Sequence, residues 1–502
     1  MGEVAGNPEL MARAANAIWA SFAVAVLVSI IDLVAGIPTA WFIARGKSRW
    51  LNVVDTLADI PFIVPTVALG YSLLLFWSDP QGISAIFGGS LVSPGWLLVI
   101  LLHFVFSFPV VVRVMVGALL DHQPVFEEAA RTLGGSPFTV DRTVTFPILR
   151  PSLVGAFVLA FARSISETGA TIMVAGTFEN GAIFVKAMKD TGQQGALALV
   201  SLMLILISSA IFGVILLLGP RLRIPIKRAW PSFERHLSSK VVSTTRDTLT
   251  MLVFFLLILI PALFVALPSF RAILDGTINS AISSSGVWQG YWSSLGLSYL
   301  VGGLATLLGV LAGLPMAILI ARRRLGKTVS AVLDILVNIP IIVPSTALGA
   351  SLAIFWTQFA FVPEFVLLVL AHLSITYSYF VRSMAAAIER TDIELENAAR
   401  IHGAKPFAVF RTIVLPLTKY SLLAGAIMVL TRSVSETGAT LAVVSKLQTA
   451  PVLLVDWVQS FRVDPLAGIT SSDIGLGCGI LIALAFIVLL FLKLMSGRKT
   501  TY

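Results

Sequence analysis

Long runs of apolar residues recur along the chain, separated by short polar segments, and none alternates with a period of two residues. A helix of roughly 20 residues crosses the hydrocarbon core of a bilayer. A continuous apolar run can satisfy its own backbone groups there only as a helix. The pattern therefore predicts an all-α integral membrane protein of about 11 spans. We place them at 18–44, 57–77, 96–120, 145–175, 196–219, 250–270, 295–321, 331–356, 364–388, 413–445 and 475–494.

Basic residues gather at the ends of the apolar runs, where they act as topology signals. If every basic cluster faces the cytoplasm, the spans alternate consistently, with the N-terminus outside and the C-terminus in the cytoplasm. Residues 1–17 lack the charged start and apolar core of a signal peptide, so we expect none. The clusters comprise Arg45, Lys47 and Arg49; Arg221, Arg223, Lys227 and Arg228; Arg322, Arg323, Arg324 and Lys327; and Arg498 with Lys499.

The composition narrows the class of protein further. The chain has 502 residues, of which 57% are hydrophobic and 12% charged, whereas a soluble chain carries about 25% charged residues. The net charge of +9 comes from separate clusters and not from one basic face, so we expect no nucleic-acid partner. A single cysteine, Cys478, can form neither a disulfide nor a cysteine metal cluster, and we interpret it as an inert core residue.

The two halves of the chain repeat each other in sequence. The segment Ile-Pro-Phe-Ile-Val-Pro at 60–65 recurs as Ile-Pro-Ile-Ile-Val-Pro at 339–344, and the distance between copies is the same for the histidine pair His103 and His372 as for the arginine pair Arg113 and Arg382. The repeat predicts two homologous transmembrane halves, each of roughly five to six helices. The predicted domains are 1–225 and 250–502, joined by a flexible, solvated cytoplasmic linker at 226–249.

A polar segment lies between two apolar spans in each half, at 127–138 and at 396–407. Its first part, Glu-Ala-Ala-Arg in the first half, is a strong helix former. The glycine that follows permits a sharp turn of the backbone, and the proline three residues later can start a second short helix. The segment therefore predicts a compact helical elbow, which the orientation above places on the cytoplasmic side.

These two segments resemble the Glu-Ala-Ala, three residues, Gly motif of binding-protein-dependent ABC importer permeases of type I, here in a fused double-domain form. In that family the elbow is the coupling helix, which fits a groove on the ATP-binding subunit. The second copy has an asparagine at the glutamate position, so we expect two docking contacts of unequal strength. The resemblance assigns ATPase coupling to Glu128, Ala129, Ala130, Gly134, Asn397, Ala398, Ala399 and Gly403.

The resemblance implies partners and no enzyme activity in this chain. It implies two ATP-binding subunits at the cytoplasmic face, an extracytoplasmic substrate-binding protein, a surrounding lipid bilayer, and one fused chain per transporter in the cell membrane, with no cofactor. The sequence holds no G-x-x-x-x-G-K-[ST] phosphate loop, so ATP hydrolysis is expected on another chain. The family mechanism is alternating access, in which ATP draws the two elbows together and opens the pore outward.

A second repeated block is Arg-Ser-Ile-Ser-Glu-Thr-Gly-Ala-Thr at 163–171, matched at 432–440, and we place both copies in mid-span. Arginine and glutamate four residues apart share one helical face and can pair. Two interpretations stay open: the pairs lock helices together, or they line the translocation path or its gate. Paired prolines that kink a span are typical of gates and also of plain packing. The pore or gate candidates are Arg163, Ser166, Glu167, Arg432, Ser435, Glu436, Pro61, Pro65, Pro340 and Pro344. We interpret His103 and His372 as packing residues rather than metal ligands.

The substrate signals point in two directions. The second block resembles the Glu-Phe-Gly-Ala-Thr region of molybdate, tungstate and sulfate permeases, although Thr168 and Thr437 replace the aromatic residue. The fused layout resembles ferric-iron and thiamine permeases. As the substrate we favour a small inorganic ion, either an oxyanion or ferric iron, over thiamine or a polyamine.

Two other classes of protein are weighed against the importer. An ion-gradient-driven secondary transporter is disfavoured because its inner repeats are often inverted, whereas these two are parallel. A membrane enzyme is disfavoured because its only candidate carboxylates, Glu167 and Glu436, each have their own arginine.

Overall fold

The computed structural model describes residues 6–46, 48, 50–80, 82–218, 231–359, 361–464 and 468–495. Within these ranges the chain forms helices, turns and loops, and no strand. The all-α prediction is therefore confirmed. Several predicted topology signals lie outside the described residues, namely Lys47, Arg49, Arg221, Arg223, Lys227, Arg228, Arg498 and Lys499.

Apolar helices long enough to span a bilayer run through the whole described chain. The described residues contain 9 such helices, or up to 11 spans if each of two bent pairs is one span, which agrees with the predicted number. The nine are Pro8–Arg45, Trp96–Asp121, Pro137–Ile165, Gln194–Ile215, Lys240–Leu274, Thr277–Ala321, Glu364–Glu389, Pro406–Val434 and Ser471–Val488.

The two bent pairs are the spans that contain the repeated prolines. In the second half, the helix Lys327–Ile342 turns by 107° into Ser345–Trp356. In the first half the corresponding bend, between Leu51–Ile63 and the helix that starts at Thr66, is 104°. Each bend falls at Pro65 or Pro344, which cannot donate a backbone hydrogen bond. The predicted interruption of these spans is confirmed.

Small residues let the helices of each half approach closely. A side chain on Gly36 would place its Cβ 2.8 Å from Val111 Cγ1, and one on Gly313 would place it 2.6 Å from Phe380 Cδ1. The two contacts occupy corresponding positions in the repeat, so the same helix crossing is built twice. Shorter helices complete the chain, among them Val125–Thr132, Gly169–Val174, Gly181–Asp190, Pro231–Leu237, Thr277–Ile282, Ile393–Ile401, Gly438–Val443 and Ala450–Val463.

The chain forms two compact units that divide it differently from the predicted domains. One contains 12–181 and 206–266, and the other contains 1–11, 182–205 and 267–502. The helix Gly181–Asp190 of the first half thus packs almost entirely with the second half, and most of the predicted span 250–270 of the second half packs with the first half. Lys189 in the helix Gly181–Asp190 donates a hydrogen bond from Nζ to the Leu441 carbonyl.

The described part of the predicted linker is helical, so the expectation of a flexible segment is wrong there, although most of its described residues are exposed or half-buried. The helix Pro231–Leu237 is followed by Lys240–Val253, and Ser239 Oγ caps the second helix by accepting from Val242 N. Glu234 is buried, and Arg142 Nη2 donates to it at 2.8 Å. This buried ion pair fixes the segment against the helix that carries Arg142. The segment therefore does not act as a flexible spacer.

Candidate functional site

Each half contains the predicted elbow. In the first, the helix Val125–Thr132 ends in a turn at Gly134, with φ of +84°, before the short helix Pro137–Val140. In the second, Ile393–Ile401 is followed by Gly403 with φ of +83° and by Pro406–Val409. Left-handed backbone is open to glycine and strained for other residues. A widened helical turn then leads from each elbow into the next span.

The tip of each elbow presents apolar side chains to the outside of the chain. Leu133 is 89% exposed and Ile401 is 84% exposed. Glu128 and its counterpart Asn397 are also exposed, beside the small alanines of the motif. Exposed apolar groups next to small residues form a surface that a protein partner can cover closely.

The opposite face of each elbow is tied to the membrane helices by a buried glutamate. Glu127 accepts a hydrogen bond from Arg45 Nη2 at 2.9 Å, and from Thr145 Oγ1 at 3.2 Å. Glu396 accepts from Arg322 Nε at 2.8 Å. Both glutamates are buried, and both arginines end the first repeated helix of their half.

Sequence reasoning missed this tie because it assigned Arg45 and Arg322 to topology alone. It also treated Glu396 as out of phase with the motif. In the structure Glu396 is in phase with Glu127, while the motif position proper, Glu128 or Asn397, faces outward. A signal was present in the sequence: each elbow carries an acidic residue one position before the motif, and each first helix ends in Ala-Arg.

The second repeated block is a break between helices, not the middle of a continuous span. The helices Phe146–Ile165 and Leu415–Val434 end within the block, and the short helices Gly169–Val174 and Gly438–Val443 begin within its last three residues. The predicted spans 145–175 and 413–445 are wrong in this respect. The Thr-Gly step explains the break, because both residue types are weak helix formers.

The glutamate of each block caps the short helix that follows the break. Glu167 Oε1 accepts from Ala170 N at 3.0 Å, and Glu436 Oε1 accepts from Ala439 N at 3.0 Å. A carboxylate at this position satisfies a backbone donor that has no partner within the helix. The glutamates therefore have a structural task.

The arginine of each block makes a close contact with a neighbouring side chain. Arg432 Nη1 lies 2.6 Å from Glu436 Oε2, so the predicted pairing is confirmed in the second half. In the first half the Arg163 guanidinium lies over the Phe106 ring, 3.7 Å from its centroid, a favourable cation–π geometry.

Ser166 and Ser435 also serve the break. Their hydroxyls donate to backbone carbonyls of the preceding turn, those of Arg163 at 3.1 Å and Thr431 at 2.9 Å. The Thr431 carbonyl also accepts from Ser435 N, so the Ser435 hydroxyl adds a second hydrogen bond where the helix ends.

A buried histidine bridges each break. His103 is hydrogen-bonded through Nδ1 to Ser164 at 2.8 Å, before the break, and through Nε2 to Thr171 at 2.9 Å, after it. His372 makes the same two bonds, to Ser433 and Thr440, at the same distances. Both ring nitrogens are therefore engaged by hydroxyl groups, which agrees with the interpretation of these histidines as packing residues.

The two kinds of broken helix pack directly on each other in each half. A Cβ on Gly70, in the helix after Pro65, would lie 2.9 Å from Ala170 Cα. A Cβ on Gly349, in the helix after Pro344, would lie 2.8 Å from Ala439 Cα. The predicted proline and glutamate candidates thus belong to one unit in each half, in which a proline bend rests on a histidine-bridged break.

Lys189 adds a contact that sequence reasoning did not find. It donates to the carbonyls of Leu441 and Val444, at the end of the short helix Gly438–Val443. Burial lowers the pKa of the Lys189 ammonium, and the nearby Glu364 carboxylate opposes that shift. Because position 458, which corresponds to Lys189 in the repeat, is a valine, the two halves are not equivalent here.

Comparison with known proteins places this arrangement in a family. Two stretches, 36–224 and 305–497, match the family model described as the binding-protein-dependent transport system inner membrane component. Together they cover most of the chain and contain both elbows and both breaks. The chain belongs to this family. The family match and the apolar helices together indicate that this permease is a multi-pass inner membrane protein. The family domain is present in two fused copies.

The chain spans less than two thirds of the length of two of the permease proteins compared below, and most of the length of the third. The permease is 32% identical over 180 residues to the sulfate transport system permease protein CysT of Salmonella typhimurium, covering 35% of this chain and 62% of that protein. It is 35% identical over 171 residues to CysW of Escherichia coli, covering 32% and 56% respectively. It is 31% identical over 208 residues to the Escherichia coli molybdenum transport system permease protein ModB, covering 38% and 89%.

The described residues contain no group of three or more histidine, cysteine, aspartate or glutamate side chains that could hold a metal ion. The candidate site has two parts in each half of the permease, namely an outward elbow suited to a protein partner and a buried unit of two broken helices.

Proposed function

We propose that this chain forms the transmembrane pore of an ATP-driven, binding-protein-dependent importer of small oxyanions. The observation that carries the proposal is the elbow, built twice, with an exposed apolar tip and a buried glutamate tied to an arginine of the membrane helices. A surface with these two properties can receive force from a partner and pass it to the helices, because the tip is free for docking and the base is fixed.

ATP hydrolysis takes place on two separate ATP-binding subunits, one at each elbow on the cytoplasmic side, where the C-terminus also lies. Their closure draws the elbows together. Because Arg45 and Arg322 tie the elbows to the first repeated helices, those helices move with them. Each end state binds a different nucleotide state of the partner better, which is what couples hydrolysis to alternating access.

The units of two broken helices form the moving part of the pore. Helix interruptions at Pro65, Pro344 and the two Glu-Thr-Gly breaks are places where the backbone can bend without breaking long hydrogen-bond ladders. The histidine bridges limit this bending to defined end states. On this proposal Arg163 and Arg432 supply positive charge beside the path of an anion.

The substrate class rests on the relatives. CysT and CysW are named for sulfate and ModB for molybdenum, and the resemblance of the Glu-Thr-Gly-Ala-Thr block points the same way. No described contact favours ferric iron, thiamine or a polyamine. A sulfate-type or molybdate-type anion is selected mainly by an extracytoplasmic binding protein, which delivers it to the pore.

The test is uptake into proteoliposomes that contain the chain with candidate ATP-binding subunits and binding protein. Radiolabelled sulfate and molybdate are offered with internal ATP, and then with an ion gradient and no ATP. We expect ATP-dependent uptake of at least one anion and none with the gradient alone. Ferric iron and thiamine serve as substrate controls.

Uptake driven by the gradient without ATP would contradict the proposal in favour of a secondary transporter. ATP-dependent uptake of ferric iron or thiamine, with no uptake of either oxyanion, would keep the importer and overturn the substrate class.

A further inference from the structure

A cavity of about 560 Å³ lies in the second half, at the ends of three helices that face the elbow. The helices are Tyr291–Ala321, Lys327–Ile342 and Glu364–Glu389. Its charged lining consists of Arg323, Lys327, Arg382, Asp334 and Glu389. Three cationic groups thus face two carboxylates, which leaves a local excess of positive charge.

In the first half, the arginine that corresponds to Arg382 is paired with two carboxylates. Arg113 donates to Asp55 at 2.7 Å and to Asp59 at 2.6 Å, and its side chain is 37% exposed. Two carboxylates hold it in a forked geometry, which suits a guanidinium.

In the second half one of these carboxylates is absent. Asn338 stands at the position that corresponds to Asp59, and its amide donates to the Asp334 carbonyl at 2.6 Å. Arg382 is left with Asp334 at 3.4 Å, and its side chain is 55% exposed. The fork of Arg382 therefore has room for a second anionic partner.

Two further cations are brought to the same place by an insertion. The turn between Arg322 and Lys327 is two residues longer than its counterpart in the first half. Arg323 takes up left-handed backbone in this turn, with φ of +47°, a strained conformation for a residue with a side chain. Neither Arg323 nor Lys327 forms an ion pair or a side-chain hydrogen bond within the part of the chain that the structure describes.

We propose that this cavity binds a tetrahedral oxyanion group, held by Arg382, Lys327 and Arg323. Phosphate-type and sulfate-type anions accept several charge-assisted hydrogen bonds at once, and the arginine fork matches their geometry. The anion takes the place of the carboxylate that Asp59 supplies in the first half. The group is either free in solution or part of an anionic phospholipid headgroup.

Occupation of the cavity acts on the second elbow. Arg322, next to Arg323 in the same turn, donates to Glu396 and to Thr391 Oγ1, two residues before the elbow helix Ile393–Ile401. An anion that joins this turn to Arg382 fixes the base of the elbow. This inference goes beyond the transport function and does not depend on it, because binding is measured on the chain without partners.

The experiment uses the purified full-length chain in nanodiscs of phosphatidylcholine, with inorganic sulfate and inorganic phosphate titrated by calorimetry. A second set of nanodiscs contains phosphatidylglycerol, and lipid retained after detergent extraction is counted by native mass spectrometry. The variants are Lys327→Gln, Arg382→Gln and Asn338→Asp. Arg390→Gln removes an exposed charge beside the cavity-lining Glu389 and is the matched control.

We expect saturable binding that weakens about tenfold in Lys327→Gln and in Arg382→Gln, since each removes one charged donor. Asn338→Asp should weaken binding in the same direction, because it restores the missing carboxylate without removing a cation. Arg390→Gln should bind as the wild type does. Lys327 is exposed at the start of its helix, so its substitution does not disturb buried packing.

Sulfate or phosphate binding in phosphatidylcholine discs that follows this pattern identifies a free oxyanion as the ligand. Retention of phosphatidylglycerol that follows the same pattern, without binding of the free anions, identifies a lipid headgroup. If neither probe distinguishes the wild type from Lys327→Gln and Asn338→Asp, the proposal is overturned.

Discussion

Glu127 and Glu396 are the residues on which the elbows depend. Each is buried and bonded to an arginine at the end of a membrane helix, with donor–acceptor distances of 2.9 Å and 2.8 Å. A buried ion pair adds little net stability when it forms, but removal of one partner leaves an uncompensated charge in a dry site. The ties therefore make the position of each elbow dependent on one carboxylate.

Glu396→Gln should lower the free energy of unfolding by about 3 kcal/mol, because the Arg322 guanidinium loses its charged partner. Chemical unfolding in detergent measures the change. Glu394→Gln, on an exposed position of the same helix, is the control and should have almost no effect. Equal stability of the two variants would show that the tie is unimportant.

The histidine bridges are a second feature at this scale. His372→Ala should destabilise the protein by about 2–4 kcal/mol, since it removes the hydrogen bonds of the ring to the Ser433 and Thr440 hydroxyls and opens a cavity. The thermal unfolding midpoint in detergent reports the loss. His236→Ala removes an exposed histidine and should leave the midpoint unchanged. A midpoint for His372→Ala that matches the wild type would contradict the bridging role.

At the scale of elements, each half places a proline-bent helix on a histidine-bridged break. Gly70 and Gly349 allow this contact, because their Cα atoms face the backbone of Ala170 and Ala439. Backbone-to-backbone packing of this kind is close and has little room to adjust. The two broken helices of each half must therefore move together.

Gly349→Ala should destabilise the second half by about 2 kcal/mol, because the added Cβ overlaps the Ala439 backbone. Gly303→Ala, at an open position of the helix Tyr291–Ala321, should be neutral or slightly stabilising, since alanine favours helix. Unfolding curves of the two variants measured side by side give the comparison. A stable Gly349→Ala variant would show that the two elements are loosely packed.

The residue types in these elements predicted their structure better than hydropathy did. The elbow was predictable in detail, because a helix former, a glycine and a proline at fixed spacing leave few alternatives. The breaks at Glu167 and Glu436 were not, because the block is flanked by apolar residues and hydropathy alone continues the span through it. The hydrogen bonds of His103 and His372 were also hidden, since they join residues far apart in the chain.

For the whole molecule, the two halves share one plan and differ in their charges. Asn397 replaces Glu128 at the elbow tip, and Asn338 replaces Asp59 beside the repeated arginine. Lys189, which donates to the Leu441 carbonyl, is replaced by Val458 in the second copy. The repeat predicted the common plan correctly, but the compact units could not be predicted because they exchange helices between the halves.

The unequal elbows lead to a prediction for partner binding. If Glu128 contributes a charge-assisted contact, Asn397→Glu should strengthen binding of the ATP-binding subunits, and Glu128→Asn should weaken it by up to about tenfold. Surface plasmon resonance on nanodiscs measures both affinities. Opposite signs for the two substitutions are required, and a change of the same sign in both would contradict the assignment.

The most direct test of the central claim is protection of the two elbow tips by the partner. Cys478 is the only cysteine and is buried, so Leu133→Cys and Ile401→Cys each introduce a single exposed thiol, and Ile86→Cys serves as a control away from the elbows. Maleimide labelling is measured in nanodiscs with and without ATP-binding subunits. The account predicts that the subunits slow labelling at positions 133 and 401 and leave position 86 unaffected. Labelling that proceeds at the same rate at all three positions, with the subunits bound, would contradict it.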